Sequence, residues 1–296
     1  MPHKITMITR PLAGFEVPSS EGHQLYSAIL GILRDTEAGQ NSSGSSLPLD
    51  GYGIPVLASR PSLTSFSLCP LQGRFKRSLS PKRKELDPGE RYGLALGITD
   101  PREVDVFHSA LQPLLSRKKN LRLKKGELRV EELAGSSASF QDLMQALQGC
   151  KDLCIDFEFK SVTIIPYRNS KMFEMFPHRE AVFHSLLAKW NAVCPEDLRI
   201  GLERDDLRRY ISERPMAYET KSAVINTVYD RVRAQARPII RLGFVGSIRY
   251  AFSRDAPEEL RRQVCALARF AEYSGVGSSV GHGCGAVAVR IEEGKE

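Results

Sequence analysis

Residues 258–291 read E-E-L-R-R-Q-V-C-A-L-A-R-F-A-E-Y-S-G-V-G-S-S-V-G-H-G-C-G-A-V-A-V-R-I. Leu260, Val264, Leu267 and Ala271 recur at helical spacing, so the first half of the stretch predicts an amphipathic helix. Gly275 stands where a helix C-cap belongs. A-V-A-V-R-I then predicts a strand. Between helix and strand lies a loop with glycine at 275, 277, 281, 283 and 285, plus Ser278, Ser279, His282 and Cys284. A helix that returns into a final strand is the closing step of a βαββαβ unit.

Upstream, the pattern completes that unit. C-I-D-F-E-F and S-V-T-I-I-P-Y-R-N (154–169) predict extended structure. In H-R-E-A-V-F-H-S-L-L-A-K-W-N-A-V (178–193), Val182, Phe183, Leu186, Leu187 and Trp190 share one helical face. K-S-A-V-I-N-T-V (221–228) and I-R-L-G-F-V-G-S-I-R-Y-A-F (240–252) are strands. The N-terminal half repeats the order. K-I-T-M-I-T-R-P-L opens as a strand, followed by a helix with Leu25, Ala28, Ile29, Ile32 and Leu33, capped by Ser19 or Ser20. Strands at 62–71 and 91–99 precede a helix with Asp100 as cap and Pro101 at its first position. L-R-L and G-E-L-R-V-E-E-L supply the last strands, and a short helix follows near 141–147. The polar, Gly/Ser-rich stretch 35–60 reads as a loop. The expected fold is α+β: two tandem ferredoxin-like (RRM-like, βαββαβ) domains, residues 1–140 and 141–296.

A chain of 296 residues has room for two such cores. Its net charge of +7 favours a polyanionic partner. No apolar run reaches membrane-spanning length and the N-terminus lacks a secretory h-region, so the expected location is cytoplasmic, with no membrane partner. Of the six cysteines only Cys150 and Cys154 are close, as C-x-x-x-C, and no second pair completes a zinc site. No metal and no cofactor are expected.

The glycine loop follows a helix. Nucleotide-phosphate loops run from strand to helix, where the anion meets the positive helix N-terminus. Here the loop meets the opposite pole. Nucleotide binding is thereby disfavoured, and what remains is backbone able to approach another chain closely and to present N–H groups to phosphates. Two glycines would serve a C-cap and a bulged strand start; five exceed that need.

G-F-V-G-S-I-R-Y, the helix, and F-A-E-Y-S-G-V-G-S-S-V-G-H-G-C-G together resemble the C-terminal signature of CRISPR repeat-RNA-processing endoribonucleases of the RAMP superfamily. I-I-P-Y-R-N-S-K-M-F-E-M-F-P-H-R-E-A-V-F-H-S-L-L-A-K-W-N resembles the middle of the same family, and S-F-S-L-C-P-L-Q-G with L-D-P-G-E-R-Y-G-L-A-L-G-I its N-terminal domain. The resemblance implies the tandem ferredoxin-like fold and metal-independent cleavage of CRISPR precursor RNA within repeats. The 2′-hydroxyl attacks the adjacent phosphorus and leaves a 2′,3′-cyclic phosphate, and the 3′ hairpin of the product is retained. It also implies a stem-loop repeat RNA as partner, with other effector-complex subunits left open. A crRNA-hairpin-binding subunit with little or no cleavage is the alternative, and a protein-only scaffold the third reading.

That reaction needs a base, an acid and cations at the phosphate. His23 is the only histidine in the region where the resemblance places the catalytic one, with Tyr26 one turn on. These two are the expected catalytic residues. Expected RNA contacts are Arg74, Lys76 and Arg77, with Phe75 as a stacking ring; Arg168 and Lys171; and, in the glycine loop, Gly275, Gly277, Ser278, Ser279, Gly281, His282 and Gly283. His184, on an apolar helix, reads as packed.

Overall fold

The computed structural model describes residues 1–40, 66–80, 82–116, 119–145, 153–167, 170–230 and 235–293. In chain order the first half holds β1 (His3–Pro11), β2 (Phe15–Pro18), α1 (Gly22–Gln40), β3 (Phe66–Gln72), β4 (Lys76–Arg77), β5 (Arg83–Leu86), β6 (Tyr92–Ile98), α2 (Pro101–Ser116), β7 (Asn120–Arg122) and β8 (Glu127–Ser137). The second holds α3 (Phe140–Gln145), β9 (Leu153–Thr163), α4 (Arg179–Val193), α5 (Arg204–Tyr210), β10 (Ile211–Asp230), β11 (Gln235–Phe252), α6 (Glu258–Ser274) and β12 (Val287–Glu293).

The strand orders are β3-β6-β1-β8-β7 and β10-β11-β9-β12, antiparallel throughout. Within each half, the second and third strands of the βαββαβ unit lie on one side of the first and the fourth on the other. That is the ferredoxin-like arrangement, twice. The expected loop 35–60 begins later than predicted, because α1 continues through residues 35–40; residues 41–60 and the start of the expected strand at 62–71 fall outside the described residues.

Alternation along each strand builds two cores. On β1, Ile5 and Met7 are buried and meet Leu25 and Ile29 of α1 and Phe107 and Leu111 of α2. On β9, Leu153, Ile155, Phe157 and Phe159 alternate inward against Phe183 and Trp190 of α4 and Phe270 of α6. Trp190 and Phe270 meet edge to face at 5.3 Å. The indole N–H of Trp190 donates to the Leu198 carbonyl (2.8 Å), so its polar end is satisfied inside the core.

Helix starts follow the sequence in one case and depart from it in another. Asp100 caps α2 as expected: its carboxylate accepts the Arg102 N–H at 2.9 Å. At α1, the Glu21 carbonyl takes the N–H groups of Gln24 and Leu25. The expected cap Ser20 instead uses its hydroxyl to accept the Val224 N–H of β10 at 3.3 Å, linking the two halves.

Two elements were not expected. β4 and β5 of the basic stretch form a small three-stranded sheet with β2. β10 begins ten residues before its predicted start and forms with β11 a hairpin that extends beyond the sheet; Ile240 and Leu242 are exposed on that extension, and Met216 and Tyr218 on the edge strand within the sheet.

Candidate functional site at the glycine loop

The two halves meet where β3, α1 and the end of α6 converge. Ser67 Oγ donates to the Tyr273 carbonyl at 2.6 Å, tying β3 to α6. The loop after α6 then passes over the start of α1. A Cβ on Gly22 would collide with the His282 carbonyl oxygen and stand 2.7 Å from Gly283 Cα. Gly283 itself has φ +83°. Only glycine on both sides permits this backbone-to-backbone approach.

The N-terminus of α1 is anchored from below. Glu21 is fully buried, its Oε1 accepts the Leu71 N–H of β3 (2.9 Å), and its Oε2 lies 2.9 Å from Lys84 Nζ of β5. Burial pushes the Glu21 carboxyl up, while Lys84 opposes that shift. Lys84 also sits 4.0 Å over the Phe75 ring, whose neighbour is Tyr92 at 5.0 Å. Phe75, half-buried, thus already has a cation and an aromatic neighbour within the protein.

On this frame three side chains converge from opposite ends of the chain. The Tyr26 ring lies between Phe66 (5.7 Å, 8°) and His282 (4.2 Å, 31°). His23 and His282 stack at 6.1 Å and 17°. His23 Nδ1 is buried and makes no hydrogen bond among the described residues. Burial lowers the pKa of His23; burial, then the neighbouring His23, lowers that of His282. Both imidazoles are thereby held toward the neutral, proton-accepting form.

Much of the loop backbone is occupied. The N–H groups of Gly275, Val276, Ser278, His282, Gly283, Cys284 and Gly285 donate to protein carbonyls, and that of Gly277 to Ser185 Oγ (2.8 Å). Ser278 Oγ donates to the Ile164 carbonyl (3.0 Å). Gly277, at φ +78°, lies so close to the Ile164 carbonyl that no Cβ fits. The expected row of free amides narrows to Ser279–Gly281. Below the loop, Lys189 Nζ donates to the carbonyls of Ser274 (3.0 Å) and Gly275 (2.8 Å), and burial pushes its pKa down to about 7.

Beside His282 opens a cleft of about 980 Å³ between the halves, with Lys82, Arg83 and Lys84 on one wall and Lys160 and Lys221 on the other. Lys160 and Lys221 were not singled out in the sequence. The alternation of β9 carries the signal for Lys160, since buried Phe157, Phe159 and Ser161 leave Glu158 and Lys160 on the open face. Arg74, Lys76 and Arg77 are exposed around β4, outside the cleft lining, and Lys76 pairs with Asp87 at 2.8 Å. Lys171 is exposed in the turn before α4, and Arg168 lies outside the described residues. His184 is half-buried rather than packed away.

Cys69, Cys154, Cys194, Cys265 and Cys284 are free thiols, and burial pushes Cys284, beside the cluster, up to about 12. It offers no thiolate nucleophile. Among the described residues no group of three or more His, Cys, Asp or Glu side chains could hold a metal ion. No helix there is long and apolar enough to cross a membrane.

Residues 157–287 match the family model for CRISPR-associated endoribonuclease Cas6. No curated protein sequence matches the chain. Among solved structures, Thermus thermophilus Cas6 aligns with TM-score 0.62 at 16% identity over 98% of both chains. A Cas6 product complex gives 0.60 at 20% identity, over 99% of this chain and 100% of that one. A Cas6-related protein from Pyrococcus furiosus gives 0.59 at 12% identity, over 98% and 99%. At these identities the structural matches establish the fold. The resemblance read from the residues is met by the family model in the C-terminal half and by the Cas6 fold along the whole chain.

Proposed function

With the Cas6 family match in residues 157–287 and the Cas6 fold as premises, we propose that this protein is a metal-independent endoribonuclease. It cleaves CRISPR precursor RNA within each repeat and keeps the 3′ hairpin of the product. The observation that carries this reading is the His23–Tyr26–His282 cluster at the mouth of a lysine-lined cleft. Solved relatives in product and substrate-mimic complexes are consistent with it.

The chemistry runs through the chain's own groups. Neutral His23 takes the proton of the 2′-hydroxyl as its oxygen bonds to phosphorus. The bond from phosphorus to the 5′-oxygen breaks, and that oxygen leaves with a proton. His23 and His282 are close enough to titrate as a pair, so the singly protonated cluster holds one base and one acid. Tyr26 fixes the plane of His282 by stacking. Lys82, Lys160 and Lys221 supply positive charge along the cleft for flanking phosphates.

The test is a labelled CRISPR repeat incubated with the protein in EDTA. The expected product carries a 2′,3′-cyclic phosphate, and His23→Ala slows cleavage by about 100-fold or more while changing affinity little. Cleavage by His23→Ala at the wild-type rate removes His23 from the mechanism. Tight binding with intact RNA assigns the protein instead to the non-cleaving hairpin-binding class.

A further inference from the structure

A second cavity of about 850 Å³ lies on the other side of the glycine loop, between α4, α5 and the segment entering α4. Its wall includes Gly277 and Ser278, whereas the catalytic cleft touches the same loop at His282–Cys284. We propose that this cavity is a subsite for one unpaired nucleotide of the substrate RNA, with its phosphate at Arg204 and His184 and its base against Tyr167. The proposal rests on the RNA-processing reading above.

Three observations carry it. His184 Nε2 is shielded from water and makes no hydrogen bond among the described residues, so the wall holds an unmet polar group. Arg204 is exposed and makes no hydrogen bond or close ion pair there, although its charge reaches His184. The cavity's two carboxylates are already engaged: Arg208 takes both oxygens of Glu180 (2.7 and 3.1 Å), and Glu174 is hydrogen-bonded to Tyr167. Glu174 keeps its negative charge but holds it buried in the wall, so the exposed charge at the space is that of Arg204. Tyr167 offers a half-exposed ring at the rim, and the volume suits a nucleotide. Cation, donor and aromatic ring in one recess are the means by which proteins hold splayed-out bases. Because a single loop separates the two sites, a strand whose reacting phosphate lies at His282 reaches the cavity by crossing Ser279–Gly281, the part of the loop with amides to spare.

The test uses a short mixed-sequence single-stranded RNA carrying 4-thiouridine. Photocrosslinks are expected on the peptide containing Tyr167 or on that containing His184. The double variant Arg204→Ser/His184→Ala is expected to lose those crosslinks and to bind about tenfold more weakly, with a melting temperature near wild type. Its dependence of log Kd on log salt should fall by about 0.7, the contribution of one phosphate contact on a single strand. Wild-type affinity in the variant, or crosslinks confined to the lysine cleft, overturns the subsite and leaves the proposed activity standing. AMP that saturates the cavity without displacing RNA assigns it to a free nucleotide and also overturns it. Failure of the wild-type protein to bind RNA overturns both readings together.

Discussion

Substituting Gly22 tests the assembly of the histidine cluster most directly. An alanine Cβ at position 22 would stand 2.7 Å from Gly283 Cα and would collide with the His282 carbonyl. Carbon atoms normally rest about 3.5–4.0 Å apart, so loop and helix must separate by roughly 1 Å. Overpacking of this kind costs about 1–3 kcal/mol. The opposing effect is alanine's better helix propensity, worth at most about 1 kcal/mol. The expected net loss is therefore about 1–2 kcal/mol, or roughly 2–3 °C in Tm for a protein of this size. The functional cost is expected to be larger, because a displacement of about 1 Å at a reacting group can cost about 100-fold in rate. Gly31→Ala is the internal control: it lies in the same helix with nothing within 4 Å of its added Cβ, and should be neutral or stabilising. Thermal unfolding and single-turnover cleavage would be measured for both. If Gly22→Ala unfolds and cleaves like Gly31→Ala, the loop does not rest on α1 and the paired-histidine mechanism fails.

Two further outcomes follow from the electrostatics. His23 and His282 have folded-state pKa values below the ordinary 6.5, so the unfolded chain binds their protons more tightly; stability is full above pH 6.5 and declines below it. The double variant His23→Gln/His282→Gln should flatten that decline in urea titrations, and in the wild type the singly protonated pair should place the rate maximum at or below pH 6.5. Lys84→Met leaves the Glu21 carboxylate buried without its cation and should cost about 3 kcal/mol near neutral pH, whereas Glu21→Gln/Lys84→Met should recover most of it. Equal urea midpoints for the single and double variants would show that the pair is not coupled.

The elements legible in the sequence were those whose burial is periodic. β9 alternates between core and open face and α6 carries a continuous apolar stripe, so both were identified. The outer part of the β10–β11 hairpin is exposed over much of its length, and its pattern carries no burial signal to read. Two strands of the β2-β5-β4 sheet, β4 and β5, lie in a basic stretch that composition assigns to a solvated surface; what orders it includes the Glu21–Lys84 pair, which joins residues far apart in sequence. For the site, position along α1 pointed to His23 and Tyr26, but nothing local told of His282 as their neighbour. Stacking across a domain boundary leaves no periodicity. The glycines were singled out for RNA contact, yet at Gly277 and Gly283 their first role is to let backbone touch backbone inside the protein.

The contact between Gly22 and Gly283 also has a bearing on time. The first βαββαβ half contains all the strands of its own sheet and can close on local and medium-range contacts. His23 then sits on a folded first half without its partner, because residue 282 is synthesised about 260 residues later. During translation the cluster cannot exist as a partial version of itself; it appears in one step, when the second half has folded and docked. Two glycines meeting face to face thus make the reactive arrangement conditional on the integrity of the whole chain.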